Sequence, residues 1–202
     1  MRPFGDSVDV LTPRNNIREA RYASLGTLGE RSGAMTCSEF VAKTYNASGS
    51  IRKYPTFERA AKALKQGNIS AMLVPGAYPG VFNFIQDVDL RCDRAFIMAI
   101  PPLVLAGRDK KAPSRAIALF HHPATAPMLK EVGVPYRRAI AVSSNAVAAR
   151  LVVRARRRNA LAVTNALCAD YYRLTVYKVL RRGVEMPWIV FVSASQPFKN
   201  IA

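Results

Sequence analysis

The chain has 202 residues, enough for one sizeable core or for two small lobes sharing a hinge. Half of them are hydrophobic and 21% are charged, which excludes an intrinsically disordered chain. Thirty Lys and Arg against thirteen Asp and Glu leave a formal charge of +17, a field that draws polyanions whatever the fold. Three scattered cysteines (Cys37, Cys92 and Cys168), with no CxxC spacing, exclude a disulfide framework and a zinc site. They read as free thiols of a reducing cytosol. The N-terminus has no apolar signal-type core. The longest apolar stretch, Ala95 to Gly107, is broken at Pro101-Pro102 and is shorter than the roughly 20 residues of a membrane span. A soluble cytoplasmic protein with no membrane partner is expected.

A recurring order of short β-rich run, Ser or Thr, then helical pattern predicts βαβ units around a largely parallel sheet. Residues 1–19 read as a loose arm, broken by Pro3, Pro13 and Asn15-Asn16. A first strand is expected over Arg21 to Leu25, ended by Gly26-Thr27-Leu28-Gly29. Thr36-Cys37-Ser38-Glu39 has the form of a capping box opening a helix to about Asn46. Ile51 to Tyr54 is a strand. Thr56 caps a helix whose apolar face is Phe57, Ala60, Ala61 and Leu64, and Gly67 ends it. Ser70 to Val74 is a buried strand, followed by a sharp loop over Pro75 to Gly80 and a weakly helical Val81 to Gln86. Ala95 to Ala106 forms two strands, or one bent at the proline pair, a natural hinge. Beyond it, strands are expected at 116–120, 139–142 and 160–163, and helices at 124–131, 145–154 and 165–172. Strands 176–180 and 188–193 close the fold. The division expected is lobe 1 from residues 20–100 with 176–202, and lobe 2 from 101–175.

Thr36, Ser143-Ser144 and Thr164 each follow an expected strand and open an expected helix. Helix N-termini carry unpaired N–H groups and partial positive charge, so several facing one site would hold a carboxylate or phosphate. His121-His122-Pro123 is the single histidine pair, but no His/Cys/Asp/Glu cluster surrounds it, and no metal is expected. Arg150, Arg154, Arg156, Arg157 and Arg158 lie at one helix end and in the turn after it. A solvated face explains them, and Arg154, Arg156, Arg157 and Arg158 are also candidates for the phosphates of a nucleotide-bearing substrate. No P-loop, GxGxxG or nucleic-acid-reading motif appears, so neither a cofactor nor a specific nucleic acid is expected. Trp188 reads as core or as a wall of the ligand site.

Taken in order, these segments resemble the prephenate dehydratase family. Leu25 to Gly29 followed by Thr36-Cys37-Ser38-Glu39-Phe40-Val41-Ala42 resembles its opening glycine loop and helix. Phe57-Glu58-Arg59-Ala60 and Leu73-Val74-Pro75 are similar to the next helix and "V-P" strand end, and His122-Pro123 to the S-H-P turn. Ser143-Ser144-Asn145-Ala146-Val147-Ala148-Ala149 resembles S-T-A-x-A-A, and Ala162-Val163-Thr164-Asn165 with Tyr172-Arg173-Leu174 the segments after it. Val74 to Gly80, Arg91-Cys92-Asp93 and Met186-Pro187-Trp188 are closer to the non-aromatising, bacilysin-type prephenate decarboxylases.

The resemblance implies a two-lobed α/β fold of periplasmic-binding-protein type II, a ligand cleft between lobes, and no ACT domain in a chain this short. It implies an enzyme, a lyase acting on prephenate or a related cyclic dienyl carboxylate in a specialised-metabolite (antibiotic) pathway. Pro187-Trp188-Ile189 stands where dehydratases carry T-R-F, whose threonine assists loss of the ring hydroxyl. Without it, decarboxylation with ring protonation replaces aromatising dehydration. Tyr78, His122 and Thr164 are the catalytic candidates. Thr36, Cys37, Ser38, Ser143, Ser144, Asn145, Asn165 and Trp188 are the substrate-binding ones. Two alternatives stay open: proton transfer or isomerisation on a cyclic acyl-CoA, as in tropone-type pathways, and a non-catalytic module binding an anionic ligand or nucleic acid. A homodimer is also left open.

Overall fold

The computed structural model describes residues 10–11, 22–30 and 33–195, and the expected N-terminal arm lies outside them except for Val10–Leu11. The chain divides into two compact units, residues 1–29, 41–99 and 185–202 in the first and 30–40 and 100–184 in the second. Their boundary near residue 100 falls beside Pro101-Pro102. Two assignments differ from the sequence reading: residues 30–40 and the strand at 175–181 belong with the second unit.

The first unit is built on a six-stranded sheet with the order β1 (Val10–Leu11), β5 (Leu90–Ile100), β11 (Val184–Ser193), β4 (Ala71–Pro75), β2 (Ser24–Leu28), β3 (Ser50–Tyr54). Strands β2 and β3 pair in parallel, as do β2 and β4, whereas β11 runs antiparallel to β4. The first strand starts three residues later than expected and absorbs Gly26-Thr27, since Thr27 is fully buried and its hydroxyl donates to the Leu73 carbonyl at 2.9 Å. Helix α1 (Cys37–Tyr45) is capped where expected: Thr36 Oγ1 accepts from the Glu39 amide at 3.0 Å. In α2 (Phe57–Lys65) the predicted face is the buried one, with Phe57, Ala60, Ala61 and Leu64 packed on Met72, Val74, Phe84 and Phe191. Thr56 caps it, and Gly67, at φ +73°, ends it. Helix α3 (Val81–Ile85) covers the same core with Val81 and Phe84.

The second unit holds a five-stranded sheet, β10 (Thr175–Arg181), β6 (Leu103–Gly107), β9 (Ala160–Asn165), β7 (Ala118–His121), β8 (Ala139–Ala141). Strands β9, β7 and β8 are parallel, while β6 and β10 run antiparallel. Val104, Ala106 and Ala162 face the helices α4 (Asn145–Arg154) and α5 (Ala166–Tyr171). The alternate residues Leu105, Leu161 and Val163 pack into a second core with Leu119, Val132 and Leu180. A sheet covered on both faces needs continuous apolar strands, which is why Leu103–Gly107 and Ala160–Val163 show no polar alternation. The helix expected at 124–131 is instead a 3-10 helix, Pro123–Glu131, because Pro127 inside it offers no amide for an α-helical bond.

Strand β11 tolerates Pro187 because the β4 ladder ends at the Trp188–Pro75 pair, one residue away. Past that end the Gly76 amide donates to the Pro187 carbonyl at 2.8 Å, and a Cβ on Gly76 would stand 2.8 Å from the proline Cγ. Gly76→Ala therefore destabilises the chain by about 1–3 kcal/mol through overpacking. Adding Pro187→Ala removes the offending Cγ and restores most of the loss, a non-additivity readable by urea denaturation of the single and double variants.

Candidate functional site

Three parallel strands of the second unit end side by side, and each hands the chain to a helix. After β7, His122 caps the 3-10 helix, its Nδ1 accepting from the Ala124 amide at 3.2 Å. After β8, Ser144 caps α4, its hydroxyl accepting from the Val147 amide at 3.1 Å. After β9, Asn165 caps α5, its Oδ1 accepting from the Cys168 amide at 2.7 Å. Of the expected Ser143-Ser144 pair, Ser144 is the cap and Ser143 is exposed, whereas the cap expected at Thr164 shifts by one residue. Thr164 lies inside the strand, paired with Val104, and its hydroxyl donates to the Asn145 carbonyl at 2.7 Å.

The segment before α1 is fastened to these strand ends. Asn165, with no exposed surface, donates from Nδ2 to the Met35 carbonyl at 3.1 Å. The Cys168 thiol donates to the same carbonyl at 3.2 Å. The amides of Asn145 and Asn165 both point at Cys37 Sγ, each at 3.7 Å. Three helix starts, those of α1, α4 and α5, are thereby gathered around Cys37 in one unit. Burial pushes the Cys37 thiol up, and burial with neighbouring Cys37 pushes Cys168 up to about 12. Both shifts favour the neutral thiol, which can donate and accept weak hydrogen bonds in the cluster. Thr36 and Ser38 are buried in the same cluster.

A carboxylate already sits at the start of α4. The Ser144 hydroxyl donates to Glu30 Oε1 at 3.3 Å, and Arg150 Nη1 lies 3.7 Å from Glu30 Oε2. The other notable atom is Asn145 Oδ1, a buried acceptor with no donor among the described residues. Sequence reasoning missed Glu30, which no local pattern marks, and reserved Arg150 for a solvated face.

The histidines divide their work. His121 Nδ1 lies 3.1 Å from the His122 carbonyl, which only accepts, so Nδ1 carries the proton and Nε2 the lone pair. In His122 the lone pair is engaged by the Ala124 amide, and burial, then His121, lowers its pKa. Of the two, His121 has its free nitrogen available for proton traffic, although it is only 7% exposed. No group of three His, Cys, Asp or Glu residues among the described ones could hold a metal.

Other candidates lie elsewhere. Tyr78 belongs to the first unit, where it packs on Phe57 and Phe84 and its hydroxyl donates to Glu58. Burial and that carboxylate push it up to about 12. Trp188 is 1% exposed, with its indole N–H donating to the Met98 carbonyl at 3.2 Å, and it packs in the first unit. Arg154, Arg156, Arg157 and Arg158 lie at the end of α4 and before β9, at the opposite end of the parallel strands from Ser144 and Asn165. The six residues of β9 separate the two ends by about 17 Å. These arginines therefore cannot share a compact ligand with the helix starts.

No family model matches the chain, and no curated protein matches it. Solved structures do. The quorum-quenching acylase GqqA superposes with a TM-score of 0.67 at 14% identity, over 89% of this chain and 67% of its own. A prephenate dehydratase from Arthrobacter aurescens, in complex with L-Phe, gives 0.67 at 16% identity, over 88% and 63%. A prephenate dehydratase from Staphylococcus aureus gives 0.61 at 14%, over 86% and 68%. The chain thus spans about two thirds of the length of these proteins. At such identity the likeness is one of fold, and it assigns this chain the two-unit α/β fold of prephenate dehydratase catalytic domains.

Proposed function

We propose that the chain is a prephenate dehydratase-like lyase that binds the carboxylate of a small cyclic acid at the start of α4. The observation that carries this reading is the Glu30 carboxylate on Ser144 and Arg150. A helix N-terminus with a hydroxyl donor and a guanidinium is chemically a carboxylate receptor, and a ligand's carboxylate would take Glu30's place. Asn145 Oδ1 is an open acceptor one residue away, suited to a hydroxyl on the same ligand. A cyclic acid bearing both groups, as prephenate does, matches this pair.

The reaction follows from what the chain has and lacks. Decarboxylation breaks the bond between ring and carboxylate, leaves its electron pair in the ring diene, and needs a proton at a ring carbon. The His121-His122 pair is the proton carrier in this reading, His121 through its free Nε2. Pro187-Trp188-Ile189 stands in the sequence where dehydratases carry the T-R-F threonine that assists loss of the ring hydroxyl, so in this reading the hydroxyl is kept. The product keeps its hydroxyl and is not aromatic. The acyl-CoA alternative loses ground because the arginines meant for its phosphates lie at the far sheet end.

Two measurements test this. With prephenate, the chain should release CO2 without forming phenylpyruvate; phenylpyruvate in the product would refute the non-aromatising assignment. In binding titrations with prephenate, Ser144→Ala should weaken affinity about tenfold by removing one charge-assisted hydrogen bond. Glu30→Gln should strengthen it, because the internal competitor is gone. Equal affinity across all three proteins would mean that the ligand binds elsewhere.

A further inference from the structure

The charge of the chain is not spread evenly. The second unit carries seventeen Lys and Arg against five Asp and Glu, the first thirteen against eight. Within the second unit the excess is concentrated at the N-terminal ends of β7, β8 and β9. Three loops lead into those strands, residues 108–115, 132–138 and 155–159, and together with Arg154, the last residue of α4, they hold ten Lys and Arg against a single acid, Asp109. The loops are tied together by backbone. The Ala116 amide donates to the Pro135 carbonyl at 2.8 Å, the Arg137 amide to the Ala116 carbonyl at 2.9 Å, and the Ile117 amide to the Asn159 carbonyl at 3.2 Å. Asn159 Nδ2 also donates to the Arg115 carbonyl at 3.3 Å.

All of these basic residues but Arg108 are exposed. Among the described residues the one ion pair in the cluster is Arg158 with Asp109, at 2.7 Å. Arg115, Ala116, Ile117, Arg137 and Asn159 line an open depression of about 380 Å³ at its centre. So many like charges on adjoining loops repel one another and do nothing for the fold, whose cores lie on the sheet faces.

We propose that this end of the second unit binds the phosphodiester backbone of a double-stranded nucleic acid, without reading its sequence. Seven of the eight arginines and both lysines point into solvent from three anchored loops, and guanidinium groups take phosphate oxygens two at a time. A duplex suits the surface better than a single strand, which is held by exposed aromatic rings. The one aromatic residue of these loops, Tyr136, packs instead against the core that includes Leu119 and Leu161. A membrane surface suits it less well, since bilayer-binding faces pair basic with inserted apolar side chains, and the three basic segments themselves hold no large exposed apolar residue, Val153 standing just before the third. The proposal is independent of the lyase reading, whose site lies at the opposite strand ends.

The test separates this surface from net charge. One variant of the full chain replaces Arg115, Arg137, Arg156 and Arg157 by Gln; a second replaces the exposed Arg52, Arg59, Lys62 and Arg182 by Gln, with the same change in charge. Binding to a labelled random-sequence duplex is followed by anisotropy between about 50 and about 200 mM salt. The first variant should lose about 3–4 from the logarithmic salt slope and bind at least about tenfold more weakly. The second should stay within about threefold of the unaltered chain. Equal losses in the two variants would reduce the effect to net charge and overturn the proposal. So would unchanged binding by the first variant, or loss of binding to phosphatidylserine vesicles with no loss on the duplex. If the first variant melts early, Arg156→Gln with Arg157→Gln gives the same readout at about half the slope change.

Discussion

The second unit depends on the amide of Asn165. Its oxygen caps α5 and its nitrogen holds the Met35 carbonyl, with no exposed surface on the residue. One side chain thus links the end of β9, the start of α5 and the segment entering α1. Burial removes water as a competitor, so each bond is stronger than on a surface and its loss leaves an unpaired group. That is what keeps residues 33–37, distant in sequence, beside Ser144 and Asn145. Aspartate in its place would supply the acceptor but not the donor, and leave the Met35 carbonyl to the Cys168 thiol alone.

The parallel run of β9, β7 and β8 then gives the sheet two chemically different ends. At the C-terminal end the helix starts present N–H groups, hydroxyls and amides, a constellation of neutral dipoles with Arg150 beside it. At the N-terminal end there are loops, and the loops are cationic. Dipoles fixed by backbone select by geometry and work at short range, whereas long, solvated cations act at a distance set by salt. A small carboxylate suits the first end and a polyanion the second. About half of the chain's +17 charge, a net nine, comes from one end of one sheet.

Local signals were legible in the sequence, and tertiary ones were not. The side-chain cap at Thr36 and the face of α2 depend on residues three or four apart, and both stand as read. Strand ends were displaced because a strand stops where its partner stops: Asn165 remains in β9 because Leu103 pairs with it, which moved the cap one residue beyond Thr164. The strand at 175–181 joins the second unit because β6 offers it an edge, a pairing no local pattern reveals. Placing Arg154 to Arg158 near the ligand needed the strand order and direction, and without them a helix end and a helix start look alike. Trp188 was ambiguous for a related reason, since burial of an amphipathic ring is decided by neighbours such as Met98.

The internal carboxylate has a thermodynamic consequence for the proposed site. A half-buried hydroxyl and guanidinium without an acceptor are costly, and Glu30 serves as acceptor for the Ser144 hydroxyl and as counter-charge for Arg150 in the free protein. A ligand's carboxylate that displaces Glu30 exchanges one such pairing for another, so that contact alone yields little net affinity. Selectivity must come from what Glu30 cannot supply. The open acceptor at Asn145 is such a feature, because a carboxylate side chain has no hydrogen to donate to it. An acid with a well-placed hydroxyl satisfies both groups, while a plain carboxylate competes with Glu30 on equal terms. The residue that occupies the site thereby sets the standard a true ligand has to exceed.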